Sequence, residues 1–242
     1  MIELNKIHNE DCFTTMSKIE DNSIDLIITS PPYNKGYWSS NRNINNGFKT
    51  KSRRIEYGDF NDNLKPDEYE KNQINVINEC LRILKPTGSL FYNHIDILNK
   101  HQTIHPKWVY HFPLKQIIIW NRKGTPKLDK SYFFPINEYI FWLQKTKTSR
   151  TYFDRHNSIM NKSIWEINPD VKNDFPAPFP KQLPLNCILS CSKEGDIVYD
   201  PYSGSGTTCL VAKQLNRKYI GSELNIEFVE KSNIRLLDTN II

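Results

Sequence analysis

The residues with the clearest chemical potential form a short proline turn, Ser30-Pro31-Pro32-Tyr33, directly after an apolar stretch that ends at Thr29. Two consecutive prolines fix the backbone φ angle, exclude a helix and lack N–H donors. The turn therefore presents acceptors: the Ser30 hydroxyl and the carbonyl of Ser30 or Pro31. These acceptors and the Tyr33 ring suit a flat ring that carries an amino group, which could be held by its two hydrogens and stacked on the tyrosine.

The chemistry that this turn favours is methylation of an aromatic amine. Such an amine is a poor nucleophile, because its lone pair is delocalised into the ring. Hydrogen bonds to both amino hydrogens localise the lone pair, and the nitrogen can then attack a sulfonium methyl group in line. The chain has no Pro-Cys dipeptide, which argues against methylation at carbon 5 of cytosine, since that reaction uses a cysteine nucleophile. An ordinary turn after a strand is the alternative interpretation.

A second loop, rich in small residues, follows another apolar strand pattern. It consists of Asp200, Pro201, Tyr202, Ser203, Gly204, Ser205, Gly206, Thr207 and Thr208. Small residues let the backbone approach a ligand and present N–H groups at a helix start. Glu223 follows the next strand, where a carboxylate can accept both hydroxyls of a ribose. The loop and Glu223 together predict a site for a nucleoside cofactor, and a plain strand–helix turn with a surface Glu223 is the alternative.

Two other nucleotide sites fit this loop poorly. No Gly-Lys-Ser or Gly-Lys-Thr follows the glycines, which excludes a phosphate loop. A dinucleotide dehydrogenase would have a third glycine, whereas Thr207 and Thr208 follow Gly206 here.

The elements that must position these loops alternate between strand and helix patterns. Strands are predicted at Ile24–Thr29, Ser89–Tyr92, Leu114–Trp120, Glu138–Leu143, Asp196–Tyr199 and Lys218–Ser222, and helices at Asp67–Leu84, Gly206–Leu215 and Phe228–Leu237, with Lys85–Gly88 ending the first helix. This alternation predicts an α/β fold with a doubly wound, mostly parallel sheet and helices on both faces. Ligands bind beyond the carboxyl ends of such strands, so Ser30 and Gly204 are expected at one rim.

Composition limits the class of protein. The 242 residues fit one catalytic domain, and a net charge of +5 permits a polyanionic partner.

Five scattered cysteines favour reduced thiols over disulfides, and the spacing of Cys187 and Cys191 does not indicate a metal site. The longest apolar runs are too short to cross a membrane, and residues 1–6 do not look like a signal peptide, so a cytoplasmic protein is expected.

The residues and the order of these motifs resemble those of the amino-methyltransferases of restriction-modification systems. The order is that of the β arrangement, in which the catalytic motif precedes the cofactor motif. The resemblance covers most of the chain, and it implies S-adenosylmethionine as cofactor, double-stranded DNA as substrate and base flipping. It also implies a seven-stranded-type methyltransferase sheet with a small target-recognition insertion. Tyr202 stands where the family loop usually has Phe.

The resemblance extends to three further segments. Asn9-Glu10-Asp11-Cys12 looks like the acidic motif that contacts the cofactor adenine, through Asp11 and Cys12. The residues from Phe175 to Phe179 are similar to a segment that borders the methionine end of the cofactor, with Phe175 in place of the usual His. Lys85–Gly88 with Ser89–Tyr92 matches the entry to the middle strand.

The base that is methylated is less firmly indicated. In this family, Ser at the first catalytic position is commoner among enzymes that act on N4 of cytosine, so N4-cytosine is favoured and N6-adenine is the alternative. Methylation of RNA or of a protein glutamine amide, and a non-catalytic DNA-binding module, remain as further alternatives. A partner endonuclease and a monomeric or homodimeric state are left open.

Positive charge follows the catalytic turn directly. Asn34 to Ile55 contains Lys35, Arg42, Lys49, Lys51, Arg53 and Arg54 with no acidic residue. The segment near residues 34–58 is therefore predicted to be a substrate loop that contacts DNA phosphates, with a solvated surface loop as the alternative. Arg122 and Lys123 begin a second basic stretch, and target recognition is placed within residues 121–175.

Overall fold

The computed structural model describes residues 2–40, 62–98, 103–123, 133, 135–170 and 179–237. The strands are β1 (Lys6–His8), β2 (Ile24–Thr29), β3 (Leu84–His94), β4 (Ile97–Leu98), β5 (Thr103–Ile104), β6 (Leu114–Asn121), β7 (Asn137–Gln144), β8 (Ile164–Glu166), β9 (Ile197–Asp200) and β10 (Lys218–Ser222). The helices are α1 (Cys12–Ser17), α2 (Lys35–Ser40), α3 (Pro66–Ile83), α4 (Gln182–Cys191), α5 (Thr207–Gln214) and α6 (Ile226–Leu236), with a 3₁₀ turn at Lys107–His111.

Eight of these strands form one sheet in the order β1-β10-β9-β2-β3-β7-β6-β8. Strands β1, β10, β9, β2 and β3 run parallel, β7 is antiparallel to β3 and β6, and β8 is parallel to β6. The predicted α/β fold with a mostly parallel sheet is confirmed. The sheet has one strand more than the predicted seven-stranded arrangement, because the three-residue β8 within the predicted target-recognition region pairs with the edge of β6.

Helices cover both faces of the sheet, as predicted. Along β2, Leu26 and Ile28 pack on the side of α4, α5 and α6, whereas Ile27 packs on the side of α1 and α3. This alternation follows from the two-residue period of a strand, which turns successive side chains to opposite faces. Since both faces are buried, β2 is a nearly continuous apolar run.

Helix α3 has clear signals at its start. Pro66 occupies the first turn together with Asp67 and Glu68, where proline needs no hydrogen-bond partner and acidic side chains favour the helix dipole. Its end differs from the prediction: β3 begins at Leu84, so Lys85–Gly88 belongs to a strand rather than to a separate turn. Leu84 adopts extended backbone angles immediately after the last helical residue, which leaves no room for a loop.

The order of the strands creates a crevice between β2 and β9. These two strands are neighbours, but the chain leaves β2 through α3 toward β3 on one side and leaves β9 through α5 toward β10 on the other. Such a switch point opens a crevice at the carboxyl ends of the strands, where α/β proteins bind ligands. Within the described residues, no helix combines the length and apolar character that a membrane span requires.

Candidate active site

A single pocket at the carboxyl ends of the strands joins the proline turn and the glycine loop. The space between its lining atoms is about 1460 Å³, and this figure includes the part that is open to solvent. The predicted catalytic and cofactor residues that line it are Ser30, Pro31, Pro32, Tyr33, Asp11, Cys12, Phe179, Asp200, Pro201, Tyr202, Ser203, Gly204, Ser205, Thr207, Thr208 and Glu223. The two loops are therefore brought together in one pocket.

The glycine loop depends on backbone conformations that only glycine adopts without strain. Gly204 has φ +50° and Gly206 has φ +69°, both in the left-handed region. A β-carbon on Gly206 would lie 2.9 Å from the β-carbon of Ser232. Gly206 does not line the pocket, and it serves instead as the residue from which α5 starts.

Glu223 holds the glycine loop through its carboxylate. One oxygen accepts from the backbone N–H of Gly204 at 2.9 Å, and the other accepts from the N–H of Asn225 at 2.9 Å. Burial raises the pKa of Glu223 above its ordinary value. Each carboxylate oxygen can accept a second hydrogen bond, so the group retains acceptor capacity toward the pocket.

Asp200 is a buried carboxyl at the end of β9. It is 5% exposed and accepts from the backbone N–H of Tyr202 at 3.1 Å. Burial raises its pKa to about 6. A carboxylate there would be stabilised by a cationic ligand, because its charge has little access to water.

The predicted N-terminal acidic motif lines the same pocket through Asp11 and Cys12. Asp11 begins helix α1 and accepts from the Phe13 N–H at 2.8 Å through one carboxylate oxygen. Burial raises the pKa of the Cys12 thiol to about 12, so it is protonated at neutral pH and is not a nucleophile. All five cysteines are buried and free, which agrees with the predicted reduced thiols.

The proline turn belongs to a network of buried polar groups. The Ser30 Oγ and Tyr33 Oη atoms are 2.6 Å apart, and the Tyr33 hydroxyl donates to Glu138 Oε2 at 3.3 Å. The Asn93 side-chain amide donates to Tyr33 Oη at 2.6 Å and to Glu138 Oε2 at 2.7 Å. Arg122 donates to the other oxygen of Glu138 at 3.1 Å.

The carbonyls of the turn are not equivalent. The Tyr69 hydroxyl, from helix α3, donates to the Pro32 carbonyl at 2.8 Å and lies 2.9 Å from Nε2 of the buried His94. Burial lowers the pKa of His94 to about 4, so the ring is neutral at physiological pH. With the Pro32 carbonyl already bonded, the Ser30 hydroxyl and the carbonyl of Ser30 or Pro31 are the acceptors available to a ligand.

The predicted DNA-binding residues have different outcomes. Arg42, Lys49, Lys51, Arg53 and Arg54 lie outside the described residues. Lys35 lies at the start of α2, a helix where a loop was predicted. Its ammonium is 5.1 Å from the centroid of the Tyr33 ring, inside the pocket, and desolvation lowers its pKa. Lys123 pairs with Glu166 at 2.9 Å and does not line the pocket.

Sequence reasoning missed Asn93 and Glu138. Both are buried, at 1% and 7% exposed. Each is a polar residue within or next to a stretch predicted as a core strand, and that misfit is the signal that could have identified them. Trp120, which lines the pocket beside them, and Phe228, at the cofactor end, were missed because an aromatic residue in an apolar pattern is usual.

Comparisons with known proteins agree with this geometry. A family model described as DNA methylase, N6_N4_Mtase, matches residues 24–234. The type II methyltransferase M.HpaI of Haemophilus parainfluenzae is 31% identical over 91% of this chain and 70% of its own length.

Two solved structures share the fold. The PvuII DNA methyltransferase (cytosine-N4-specific) has a TM-score of 0.73 and 22% identity, with 98% of this chain and 89% of that one covered. TTHA0409 of Thermus thermophilus, complexed with S-adenosyl-L-methionine, has a TM-score of 0.68 and 23% identity, with 96% and 92% covered. The proline turn and the glycine loop line one pocket, and the family match shows that this chain belongs to the N6/N4 family of DNA methylases.

Proposed function

We propose that the chain transfers a methyl group from S-adenosylmethionine to the N4 amino group of a flipped cytosine in double-stranded DNA. The observation that carries the proposal is the shared pocket, lined by Ser30 at one end and by Gly204 and Glu223 at the other. Transfer between two ligands requires that both occupy one cavity with the reacting atoms close together.

The cofactor half of the pocket suits an adenosyl group with a positive charge. Glu223 offers carboxylate oxygens to ribose hydroxyls while it holds the Gly204 N–H. Asp200 supplies a buried carboxyl for a cationic part of the donor, and its burial makes a charge–charge contact there stronger than at the surface. We assign Asp11, Cys12 and Phe179, which also line the pocket, to the same ligand.

The acceptor half suits an exocyclic amine. The Ser30 hydroxyl and a carbonyl of the turn hold the two amino hydrogens, and the Tyr33 ring lies beside the base. These groups favour a localised nitrogen lone pair. That lone pair attacks the methyl carbon and displaces the sulfur atom of the donor. The serine at position 30 supports N4 of cytosine over N6 of adenine, and the cytosine-N4-specific name of the PvuII neighbour points the same way.

In this proposal, basic side chains hold the DNA through its phosphates. We assign phosphate contacts to Lys35, Arg42, Lys49, Lys51, Arg53, Arg54, Arg122 and Lys123, and target recognition to residues 121–175. In this proposal the chain is one catalytic domain that works in the cytoplasm as a monomer or homodimer. The type II name of M.HpaI supports a cognate restriction endonuclease as functional partner.

The test is transfer of a labelled methyl group to three classes of acceptor. Incubation with labelled S-adenosylmethionine should label duplex DNA, with none in RNA or protein. Ser30→Ala should retain cofactor binding in calorimetry and lose most of the transfer, because it removes one of the two amine acceptors. Label in RNA or protein but not in DNA, or no binding of S-adenosylmethionine at all, would contradict the proposal.

A further inference from the structure

Methylation of an amine releases one proton, and the buried turn must provide a route for it. The nitrogen forms a bond to the methyl carbon, the carbon–sulfur bond breaks with its electrons left on sulfur, and one N–H proton has to leave. The amine is held against Ser30, so the hydroxyl of Ser30 is the first acceptor on this route. This argument rests on the proposed function.

We propose that the proton passes from the amine through the Ser30 and Tyr33 hydroxyls to Glu138, which orients both hydroxyls before the reaction. Ser30 Oγ lies 2.6 Å from Tyr33 Oη, and the Tyr33 hydroxyl donates to Glu138 Oε2 at 3.3 Å. The three groups therefore form a continuous chain from the pocket to a carboxylate.

The bonding around Tyr33 gives this chain its direction. The two shortest hydrogen bonds of the Asn93 amide nitrogen go to Tyr33 Oη at 2.6 Å and to Glu138 Oε2 at 2.7 Å. Ionised Glu138 can only accept, so the tyrosine hydrogen points toward it. Tyr33 Oη then accepts from Ser30 as well. Asn93 Nδ2 also lies 3.4 Å from Ser30 Oγ, a longer contact that leaves the hydroxyl of Ser30 one lone pair for the amine. In this way Glu138 makes Ser30 an acceptor.

Burial keeps water from replacing the relay. Asn93 is 1% exposed, and Tyr33 and Glu138 are each 7% exposed. Arg122 balances the charge of Glu138 from a position where its own side chain is 40% exposed. A buried carboxylate that pairs with Arg122 is thus linked to Ser30 through the Tyr33 hydroxyl.

The proton step balances atom by atom. One amine proton moves to Ser30 Oγ as the proton of Ser30 moves to Tyr33 Oη and the proton of Tyr33 moves to Glu138 Oε2. Each hydroxyl ends with one hydrogen, and Glu138 becomes a neutral acid that later releases its proton. Glu138 acts through Tyr33 and Ser30, so it is a positioning residue and terminal acceptor that does not touch the substrate.

A double-mutant cycle tests the relay. Tyr33→Phe keeps the ring and removes the hydroxyl, and Glu138→Gln keeps the shape and removes the charge. The single-turnover rate of methyl transfer to duplex DNA should fall by about 100-fold in each, the lower end of what a positioned proton acceptor contributes. The double variant should be no slower than the slower single variant, because either change interrupts the same route.

The cycle also separates other roles. Losses that multiply in the double variant would overturn the relay, as would single variants with the normal rate. If Glu138 served only to hold Arg122 against DNA, Glu138→Gln would raise the KM for DNA and leave the single-turnover rate at saturating DNA unchanged. Cofactor affinity, measured by calorimetry, should remain normal in all three variants.

A matched control removes a buried tyrosine hydroxyl that lies outside the route. Tyr92 neighbours Asn93 in β3, and its hydroxyl donates to Gln73 at 2.8 Å. Tyr92→Phe should keep the normal rate, and a 100-fold loss there would show that any buried hydroxyl deletion disrupts the site. If the wild-type protein methylates DNA and the Tyr33→Phe and Glu138→Gln variants do so at the same rate, the relay alone is rejected. If the wild-type protein does not methylate an amine, both proposals are rejected.

Discussion

Polar side chains buried at one rim of an apolar sheet are what distinguish this molecule at the scale of single residues. Asn93, Glu138 and Asp200 are each less than a tenth exposed. Burial of such groups costs free energy unless hydrogen bonds compensate for lost hydration, and each has partners in the site. Groups held at that cost in a cleft are candidates for function rather than for stability.

Glu223 gives the first prediction at this scale. Glu223→Gln removes the charge that accepts from the Gly204 and Asn225 N–H groups and, in our proposal, from the ribose. The free energy of S-adenosylmethionine binding should weaken by about 1–3 kcal/mol, the usual value of hydrogen bonds to a charged group. Calorimetry measures it, with the exposed Glu227→Gln on α6 as control. An unchanged dissociation constant would remove Glu223 from the cofactor site.

Asp200 gives a pH-dependent prediction. Burial raises its pKa from 3.8 to about 6, so the folded protein binds this proton more tightly than the unfolded chain does. The protonated carboxyl contributes to the stability of the folded state fully below about pH 4, and this contribution is lost as the pH rises toward 6. Above that pH, the carboxyl causes no further change in stability. Asp200→Asn lacks this titration. The difference in the free energy of unfolding, variant minus wild type, should therefore rise by roughly 2 kcal/mol between about pH 4.5 and about pH 7.5.

Denaturant unfolding at the two pH values measures this difference, and the subtraction removes the titration of distant groups. A difference that stays flat, or that falls with rising pH, would show that the Asp200 carboxyl is better solvated than its position indicates.

At the scale of elements, the site exists because two crossovers leave the sheet in opposite directions. Helix α3 departs from β2 on one face and α5 departs from β9 on the other, which leaves the ends of β2 and β9 uncovered. The proline turn and the glycine loop are those two uncovered ends. The chemical groups of each loop come from consecutive residues, so they could be predicted from the sequence. The proximity of the two loops followed from the prediction of a parallel sheet.

Other parts of the fold could not be predicted because their information is not local. Strands β1 and β8 have three residues each, too few to show a period. Glu138 reaches Asn93 across 45 positions of sequence because β7 pairs antiparallel with β3, where Asn93 faces Ile140. That pairing is decided by packing and register, so Ser30 and Tyr33 of the proposed relay could be predicted from the sequence, whereas Glu138 and Asn93 were visible only in the structure.

Gly206 gives a prediction about the start of α5. Gly206→Ala imposes φ +69° on a residue with a side chain and puts its β-carbon 2.9 Å from that of Ser232. Gly195 has φ +83°, and a β-carbon there would meet no atom of the described residues within 4 Å, so Gly195→Ala carries the backbone strain alone. Strain costs about 1–2 kcal/mol, and Gly206→Ala should be more destabilising than Gly195→Ala by roughly another 1 kcal/mol or more.

Urea unfolding of both variants measures the two losses of stability. Equal losses would mean that α6 moves away from the loop without cost, and that Gly206 is needed only for its backbone angles.

At the scale of the whole molecule, the net charge of +5 favours a polyanionic partner such as DNA. Binding of duplex DNA should weaken steeply with salt, since each neutralised phosphate releases counterions. Replacing Lys49, Lys51, Arg53 and Arg54 with Gln should reduce the slope of log affinity against log salt by about 0.9 per lost contact.

Fluorescence anisotropy with labelled duplex measures the slope, with Lys71→Gln on the exposed side of α3 as control. A slope that is unchanged by the four substitutions would place the phosphate contacts elsewhere.

The most direct test of the whole account is the identity of the methylated nucleoside. Duplex DNA treated with the protein and isotopically labelled S-adenosylmethionine is digested to nucleosides and separated by mass. The account predicts labelled N4-methyl-2′-deoxycytidine. Label in N6-methyl-2′-deoxyadenosine would contradict the assignment to cytosine, and label in 5-methyl-2′-deoxycytidine, or in no nucleoside, would contradict the transfer to an amine held by Ser30.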